Sequence, residues 1–542
     1  MFVRTKTFKN KDGSIREYLF ICETRREGNK VRQITLANLG RLDSIDTQKT
    51  IDNLIDSLAK FSKKRAILNL SKGLFADWAK LYGPVLVFKA LWQKTGLKRI
   101  ISEYAKERKF EFDLSSVIFS MVLGRLLDPL SKLSTQKWLK REVYDEEIDG
   151  LRLEHLYRSL DFLKENAENI ENSLYREDLN LFNQGVDLFF FDTTSIKFYG
   201  EENSLMKKGH SRDKRPDLNQ VVVGIVLRRD GKPISHHIFP GNTVDVVAFK
   251  EMITSIKKRF RINRVVFVVD RGMISKENIR LLDELGLEYI IGVKLRQKKE
   301  VKEDVVSRAG RYKEVSKNLF VKEVFLGKKR YIVCLNPIEQ IRDSLKRDEI
   351  IKRLKEKLKK DPKSLIKNHA YRGLIKIEKD SIKINEEKIK EEERYDGKYI
   401  LTTNTDLSAE DVATAYRGLF RIERVFRELK SYLEIQPIYH YAERRIEAHI
   451  FLCFLALLLE WELAKRLKEI DDKISVHEVI DDLCQVKIVK LRYEETEFLV
   501  RTELKGKAYL AFKAVGIRVP PRVIELNVVP TSSFTLKNAH KQ

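Results

Sequence analysis

The chain has little cysteine, and its four cysteines stand far apart. Cys22, Cys334, Cys453 and Cys484 form no C-x-x-C pair and have no histidine pair nearby. This spacing excludes the common zinc-binding patterns and offers no disulfide framework of the kind found in small secreted domains. We therefore expect a protein of a reducing compartment.

Long hydrophobic runs are also missing. The longest, residues 450–459, ends at Glu460 after ten residues, whereas a membrane-spanning helix needs about 18. A helix in a protein core fits this run better. The N-terminus is basic around Arg4 and Lys6 but lacks the apolar segment of a secretory signal. These absences predict a cytoplasmic protein with no membrane partner.

Acidic residues are outnumbered by basic ones, 80 against 105, which gives a formal net charge of +25 and a pI near 9.5. This excess favours a polyanionic partner, because counterion release from a phosphate backbone drives the binding of Lys and Arg. Small acidic substrates and anionic membranes are weaker alternatives. With 43% hydrophobic residues the chain has enough apolar surface to fold, so general disorder is excluded.

The length of 542 residues predicts three or four domains at about 150 residues each. Apolar and charged residues alternate around the turns Lys11-Asp12-Gly13 and Glu27-Gly28-Asn29, which predicts a basic β-hairpin region in residues 1–44. The helical spacing of apolar clusters predicts an all-helical domain in residues 45–180.

An α/β core is predicted next, from apolar runs of strand length. These runs are residues 188–191, 221–227, 265–269, 289–293 and 398–401. Residues 181–295 form the first part of this core, and a long helical region within 406–470 completes it before a C-terminal region, 471–542. Residues 296–405 are rich in Lys and Glu, with an amphipathic helix at 342–360. We interpret them as an insertion rather than a continuation of the sheet.

Two aspartates follow apolar runs of this core. Asp192 comes after residues 188–191 and Asp270 after residues 265–269, so each carboxylate is expected at the carboxyl end of a buried strand, where open α/β sheets place ligands. Either aspartate alone is more simply read as a turn residue or a helix cap. Two together favour a magnesium site, because Mg²⁺ takes hard oxygen ligands.

A third acidic candidate lies on the long helical region. Tyr416, Glu423 and Lys430 are spaced seven and seven, which returns to within about 20° of one direction on an α-helix. Arg427 shares this stripe, while a different arc is apolar; that arc holds Leu419, Ile422, Val425, Phe426, Leu429 and Leu433. The alternative is a surface pair between Glu423 and Arg427, worth only a few tenths of a kcal/mol.

These residues resemble the signatures of DDE transposases from bacterial insertion sequences, in the large superfamily numbered four. Residues 416–430, with Tyr416, Glu423 and Lys430, resemble the YREK signature of that family. The supporting segments are Phe191-Asp192-Thr193-Thr194, Val269-Asp270-Arg271-Gly272, Ser211-Arg212-Asp213, Gly241-Asn242-Thr243-Val244-Asp245 and Gly40-Arg41-Leu42-Asp43. The resemblance covers nearly the whole chain.

The resemblance implies a ribonuclease H-like catalytic core interrupted by an insertion, with the hairpin region and the helical domain binding DNA. It implies that Asp192, Asp270 and Glu423 are catalytic and hold two Mg²⁺ ions, with Mn²⁺ as an alternative. Ions about 3.5–4 Å apart would clamp the attacking and leaving oxygens of an in-line displacement. The implied partners are the terminal inverted repeats of the element and target DNA, bound by a homodimer associated with the nucleoid.

One position departs from the signature. Its arginine, three residues after Tyr416, is replaced by Leu419, which belongs to the apolar arc. Tyr416 and Lys430 match the signature and are expected to grip DNA. Arg427 or Arg421 is expected to supply the missing cation, and Arg427 is the better candidate because it shares the stripe of Glu423.

Other DNA contacts and other functions remain open. Lys137, Lys140 and Arg141, beside Trp138, are candidate phosphate contacts, although a solvated basic face explains each of them as well. A ribonuclease H-like nuclease without strand transfer would use the same carboxylates. A transposase derivative that binds DNA without cleaving it is disfavoured, because all three acidic residues are present.

Overall fold

The structure is a computed structural model. It describes residues 1–27, 30–59, 74–182, 187–210, 215–260, 264–293, 295, 301–360, 372–378, 381–493 and 496–528. The chain divides into two compact units. The first holds Met1–Trp78, Val489–Val500 and Val523–Gln542, and the second holds Ala79–Ile488 and Arg501–Arg522.

The first unit begins with a three-stranded antiparallel sheet. Its strands are β1 (Phe2–Lys9), β2 (Ile15–Glu27) and β3 (Lys30–Arg41), followed by helix α1 (Ile45–Ala59). The turn between β1 and β2 contains Gly13 at φ 86°, a conformation that glycine adopts without strain. The predicted sheet is confirmed, although Gly28 and Asn29 of the second predicted turn lie outside the described residues.

The other elements follow in chain order. The remaining strands are β4 (Phe75–Leu81), β5 (Asp187–Phe198), β6 (Asn219–Arg228), β7 (Pro233–Pro240), β8 (Val265–Val269), β9 (Glu288–Val293), β10 (Lys313–Ser316), β11 (Leu319–Leu326), β12 (Lys329–Leu335), β13 (Ile375–Glu378), β14 (Ser381–Ile384), β15 (Lys398–Thr403), β16 (Lys487–Tyr493), β17 (Thr496–Arg501) and β18 (Val523–Val528). The remaining α-helices are α2 (Gly83–Lys94), α3 (Leu97–Ala105), α4 (Leu114–Leu127), α5 (Lys132–Glu142), α6 (Leu153–Phe182), α7 (Asp245–Arg259), α8 (Lys276–Glu284), α9 (Pro337–Lys360), α10 (Glu386–Glu393), α11 (Ala409–Arg417), α12 (Phe420–Arg427), α13 (Glu443–Ile470), α14 (Val476–Cys484) and α15 (Ala508–Val515).

The prediction that residues 45–180 are entirely helical is wrong at β4. This strand is the edge of a four-stranded sheet in the order β18-β17-β16-β4. Its neighbour β16 lies some four hundred residues later in the chain, so local periodicity could not reveal the pairing. The helices α1 to α6 account for most of the remaining described residues of this segment, as the apolar spacing predicts.

The second unit is built around a nine-stranded mixed sheet in the order β10-β11-β12-β15-β9-β8-β5-β6-β7. β5, β8 and β9 are parallel, and their neighbours on both sides are antiparallel. All five residues of β8 are apolar and buried, as expected for a parallel strand covered on both faces. The five predicted apolar runs all lie in strands of this sheet.

Residues 296–405 continue the sheet. The expectation that they form an insertion rather than a continuation of the sheet is therefore wrong. They contribute β10, β11, β12 and β15, and β15 pairs with β9 of the parallel part. The high content of Lys and Glu hid this arrangement, because apolar positions such as Ile332 and Leu401 are buried beside exposed charged positions such as Glu323. The amphipathic helix predicted at 342–360 is confirmed within α9.

Helix α13 forms the centre of the helical layer on one face of the sheet. Residues 450–459, the longest apolar run, are all buried within it, and α13 packs against α4 and α6. It is therefore a core helix, as predicted. Within the described residues no single helix has the length and apolar character to cross a membrane. α4 and α5 reach that length and apolar character only together, as a pair bent by 90°.

We expect Gly241→Ala to destabilise the second unit. A Cβ atom at Gly241 would lie 1.9 Å from the carbonyl oxygen of Gln220 and 2.4 Å from that of Lys207, so the backbone would have to move. We expect a loss of about 3 kcal/mol in the free energy of unfolding, measured by chemical denaturation. Gly373→Ala is the control, because no atom of the described residues lies within 4 Å of its Cβ position. A Gly241→Ala midpoint equal to that of Gly373→Ala would contradict the prediction.

Candidate active site

Two aspartates meet where β5 and β8 lie side by side. The parallel register places Phe191 opposite Val269, and Asp192 and Asp270 are the next residues of the two segments. Their backbones are therefore neighbours, at the spacing of about 5 Å between adjacent strands. The prediction is right for Asp270, which follows the end of β8. It is wrong for Asp192, which is not at a strand end, because β5 continues to Phe198 while pairing with β6.

Strand alternation directs both carboxylates to the same face of the sheet. On β5, Leu188 and Phe190 belong to the core that includes α11 and α12, while Phe189 and Phe191 face the opposite layer. Asp192 therefore shares its face with Phe190. On β8, Val266 and Val268 belong to that same first core, so the next alternate position, Asp270, faces the same layer.

Tyr416 on α11 contacts one of these carboxylates directly. Its hydroxyl donates a hydrogen bond of 3.1 Å to Asp270 Oδ1. The ring lies over Gly292 of β9, where a Cβ atom would come within 2.3 Å of the tyrosine oxygen, and it stacks against Tyr399. Burial raises the pKa of Tyr416, and Asp270 raises it further. Tyr416 is thus a neutral donor that orients Asp270.

Glu423 is exposed on α12, the helix that packs on β5. In the part of the chain that the structure describes, no hydrogen bond or ion pair joins Glu423 to Arg427. The alternative interpretation of this position, a surface ion pair, is therefore not realised. The carboxylate of Glu423 remains available on the helix that covers the face of Asp192.

The long helical region predicted within 406–470 is interrupted. α11 ends at Arg417, and a tight turn follows in which Leu419 N donates to Tyr416 O. After α12 a π-helical turn, Glu428–Tyr432, is closed by a bond from Leu433 N to Glu428 O. A loop with Pro437 then precedes α13. The seven-residue stripe therefore does not run along one straight helix, and Lys430 lies in the π-helical turn, a feature frequent at functional sites.

The two candidate replacement cations occupy different surroundings. Leu419 packs against the core, as predicted from the apolar arc. Arg427 is exposed one turn after Glu423. Arg421 instead donates to the carbonyl of Arg229 and lines a cavity of about 880 Å³ that also contains Asp187. That cavity lies at the beginning of β5, so the structure does not bring Arg421 to the end of the sheet where Asp192 and Asp270 meet.

A further acidic residue near the site was missed as a candidate. Asp245, at the start of α7, accepts a hydrogen bond of 2.7 Å from the hydroxyl of Thr193, the neighbour of Asp192. Asp245 Oδ2 and Asp270 Oδ2 each lie 3.9 Å from the Cβ position of Gly272. The sequence marked Asp245 only as the last residue of the connector 241–245. Its partner, 52 residues away, could not be deduced from that motif.

The carboxylates suit hard divalent cations. Asp192, Asp270 and Glu423 offer oxygen ligands, which Mg²⁺ and Mn²⁺ prefer. Among the described residues, the ligand atoms of these three side chains do not all lie within 4.8 Å of one another. The structure thus places Asp192 and Asp270 on adjacent segments of the sheet and Glu423 on the helix that packs on β5.

The basic residues predicted to contact DNA on α5 are exposed. Lys137, Lys140 and Arg141 face solvent, whereas Trp138 beside them is buried in the core. Trp138 is therefore not available to stack with a base. Two histidines of β7 lie against the core. His236 pairs with buried Glu171 at 2.6 Å, and burial lowers the pKa of His237 to about 3.

Comparisons with known proteins place these residues in a family. Residues 184–459, just over half of the chain, match the family model described as transposase DDE domain. Residues 3–72 match the model described as the N-terminal domain of IS1634 family transposases. No curated protein sequence matches the chain.

A solved structure also aligns with the chain. It is the cryo-EM structure of a piggyBac transposase synaptic complex with hairpin DNA, and the alignment covers 75% of this chain and 80% of that one. The sequence identity is 10% and the TM-score is 0.39, a likeness too weak to define the fold.

We expect Tyr416→Phe to weaken the binding of Mn²⁺ at the aspartates by about 10-fold or more, because loss of a hydrogen bond that orients a ligand commonly has this effect. The measurement is a Mn²⁺ titration of the purified chain. Tyr399→Phe is the matched control, since Tyr399 stacks on the Tyr416 ring without bonding to Asp270. Equal affinities in the two variants would show that the Tyr416 hydroxyl does not support the site.

Proposed function

The chain belongs to the DDE transposases of bacterial insertion sequences, and from this membership we propose the particular reaction that it performs. It binds the terminal inverted repeats of its own element, cleaves DNA at the element ends and joins the freed 3′-hydroxyl ends to target DNA. The observation that carries this proposal is the placement of Asp192 and Asp270 side by side, on the face covered by the helices of Tyr416 and Glu423.

We propose Asp192, Asp270 and Glu423 as the catalytic residues and as the ligands of two Mg²⁺ ions, which Mn²⁺ can replace. When bound, these ions would activate the attacking oxygen and stabilise the leaving oxygen of the phosphodiester. Tyr416 holds Asp270 in position, and Asp245 holds Thr193 next to Asp192. Because both steps are displacements at phosphorus, one centre serves hydrolysis and strand transfer without a covalent enzyme intermediate.

The strand arrangement supports a ribonuclease H-like core. The strands β7-β6-β5-β8-β9 form a continuous part of the sheet in which the first three are antiparallel and the last three parallel. α7 and α8 provide the crossovers. We propose that residues 181–295 and 406–470 form this core, with 296–405 added to its edge and 471–542 as a C-terminal region.

DNA binding is proposed for the remaining basic regions. Residues 1–44 and 45–180 would read the terminal inverted repeats, and the net charge of +25 suits a phosphate backbone. Tyr416, Lys430 and Arg427 would contact DNA around the catalytic residues, and Arg421 would contact DNA at the other end of β5. We propose that the chain works as a homodimer on the two ends of its element, in the cytoplasm at the nucleoid.

We expect Glu423→Gln to abolish cleavage while leaving DNA binding intact. The amide keeps the side-chain shape but loses the charged oxygen ligand, so cleavage of a labelled duplex carrying the element end in Mg²⁺ should fall about 10³-fold. Glu410→Gln on α11 is the control, because it removes only a partly exposed pair with Lys313.

The outcomes of this assay separate the alternatives. Cleavage by Glu423→Gln at the wild-type rate would remove Glu423 from the site. Cleavage by the wild type without joined products would indicate a nuclease that lacks strand transfer. Binding without cleavage by the wild type in either Mg²⁺ or Mn²⁺ would indicate a DNA-binding derivative.

We expect Arg427→Ala to lower strand transfer about tenfold, the usual effect of losing one charge-assisted contact. Arg421→Ala should have a smaller effect, because Arg421 is engaged at the other end of β5. Joined products from pre-cleaved element ends measure this step directly. An Arg427→Ala variant with wild-type transfer would exclude Arg427 as the replacement for the cation lost at Leu419.

A further inference from the structure

A cluster of three potential metal ligands lies apart from the aspartates. Glu428 belongs to the π-helical turn, Glu460 to α13 and His477 to α14. His477 Nε2 lies 2.9 Å from Glu428 Oε2 and 3.7 Å from Glu460 Oε1. All three ligand atoms lie within 4.8 Å of one another. Among the described residues, this is the group of His, Cys, Asp or Glu side chains close enough together to hold a metal ion. Three separate elements thus direct one ligand each to a common point.

The buried carboxylate of Glu460 independently indicates that a cation belongs in this cluster. The residue is only 5% exposed, and its Oε2 atom has no hydrogen-bond partner among the residues that the structure describes. A buried carboxylate oxygen without a partner is costly. A cation held between Glu460 and Glu428 would offset this cost.

We propose that Glu428, Glu460 and His477 form a structural Zn²⁺ site. An imidazole nitrogen with two carboxylate oxygens is a ligand set for zinc rather than for Mg²⁺ or Ca²⁺, which select oxygen alone. Ligands of a tetrahedral zinc ion lie about 3.4 Å apart at bond lengths near 2.1 Å. The observed separations of 2.9 and 3.7 Å bracket this value.

The surroundings leave a route for the ion. A cavity of about 370 Å³ is lined by Glu428 and Glu460 and also by Arg424, Lys465 and Lys468. Arg424 lies 3.6 Å from Glu428 Oε1, the oxygen that does not face His477. Glu428 therefore keeps Oε2 for the ion, and water from the cavity can complete the coordination.

Such a site would link the signature segment, residues 416–430, to helices α13 and α14. Glu428 precedes Lys430 by two residues in the same π-helical turn. Zinc would fasten this turn to α13 and α14, and so would fix a segment that carries a signature residue. This inference stands on the cluster itself and does not depend on the proposed reaction.

Zinc content of the full chain tests the proposal. The purified protein is treated with a chelator, loaded with Zn²⁺, dialysed and measured by mass spectrometry for metal per chain. We expect one tightly held zinc ion in the wild type and less than about 0.2 per chain in Glu460→Gln and His477→Ala, since each loses a ligand. Glu462→Gln is the control, because Glu462 lies on the same helix but pairs with Lys232 and Arg466.

One further double variant and one spectrum complete the test. Asp192→Asn combined with Asp270→Asn should retain the zinc, which separates this site from the aspartates. Co²⁺ in place of zinc should give the visible absorption of a tetrahedral ion in the wild type and not in Glu460→Gln. If His477→Ala fails to fold, as judged by circular dichroism, Glu460→Gln decides. Absence of bound zinc in the wild type, or its retention in Glu460→Gln, would overturn the proposal.

Discussion

Gly418 lies against the ring of Phe190, where a Cβ atom would come within 2.6 Å of the ring carbon Cζ. This contact sets how closely α11 and α12 approach the central sheet. The same approach seats the Tyr416 ring on Gly292 of β9, a second position where a side chain would collide. The two glycines therefore allow the helices to pack at a short distance from the sheet. The hydrogen bond from Tyr416 to Asp270 requires this short distance.

The sheet itself accounts for the pairing of the aspartates. Parallel strands in register bring successive positions of β5 and β8 together, and alternation directs both carboxylates to the helical face. The antiparallel partner β6 continues to pair with β5 as far as Phe198, so it holds the backbone at Asp192, just past the point where the pairing with β8 ends. Carboxylates on such a rigid base are well suited to hold ions in fixed positions.

The success of prediction from sequence differed between elements for physical reasons. β8 was predicted at its observed bounds because a parallel strand buried on both faces is an unbroken apolar run. β7 was not predicted, since it carries the polar residues Ser235, His236 and His237. Glu171 on α6 accepts hydrogen bonds from Ser235 and His236, and the ring of His237 contacts the Ser235 hydroxyl. The strands at 313–335 were hidden by charged residues on their open face. For β7 the stabilising partner, Glu171, is more than 60 residues away in sequence.

The sequence alone determined the acidic and basic candidates, the apolar core helix, the five main strands and the family resemblance. These properties follow from composition, local periodicity and short motifs, which the chain carries without reference to its fold. The tertiary structure alone decided that Tyr416 bonds Asp270 across 146 residues, that Asp245 reaches Thr193, and that Glu428, Glu460 and His477 converge. The physical reason is that such contacts depend on how separate helices and strands pack, and no local pattern encodes the distance between two side chains on different elements.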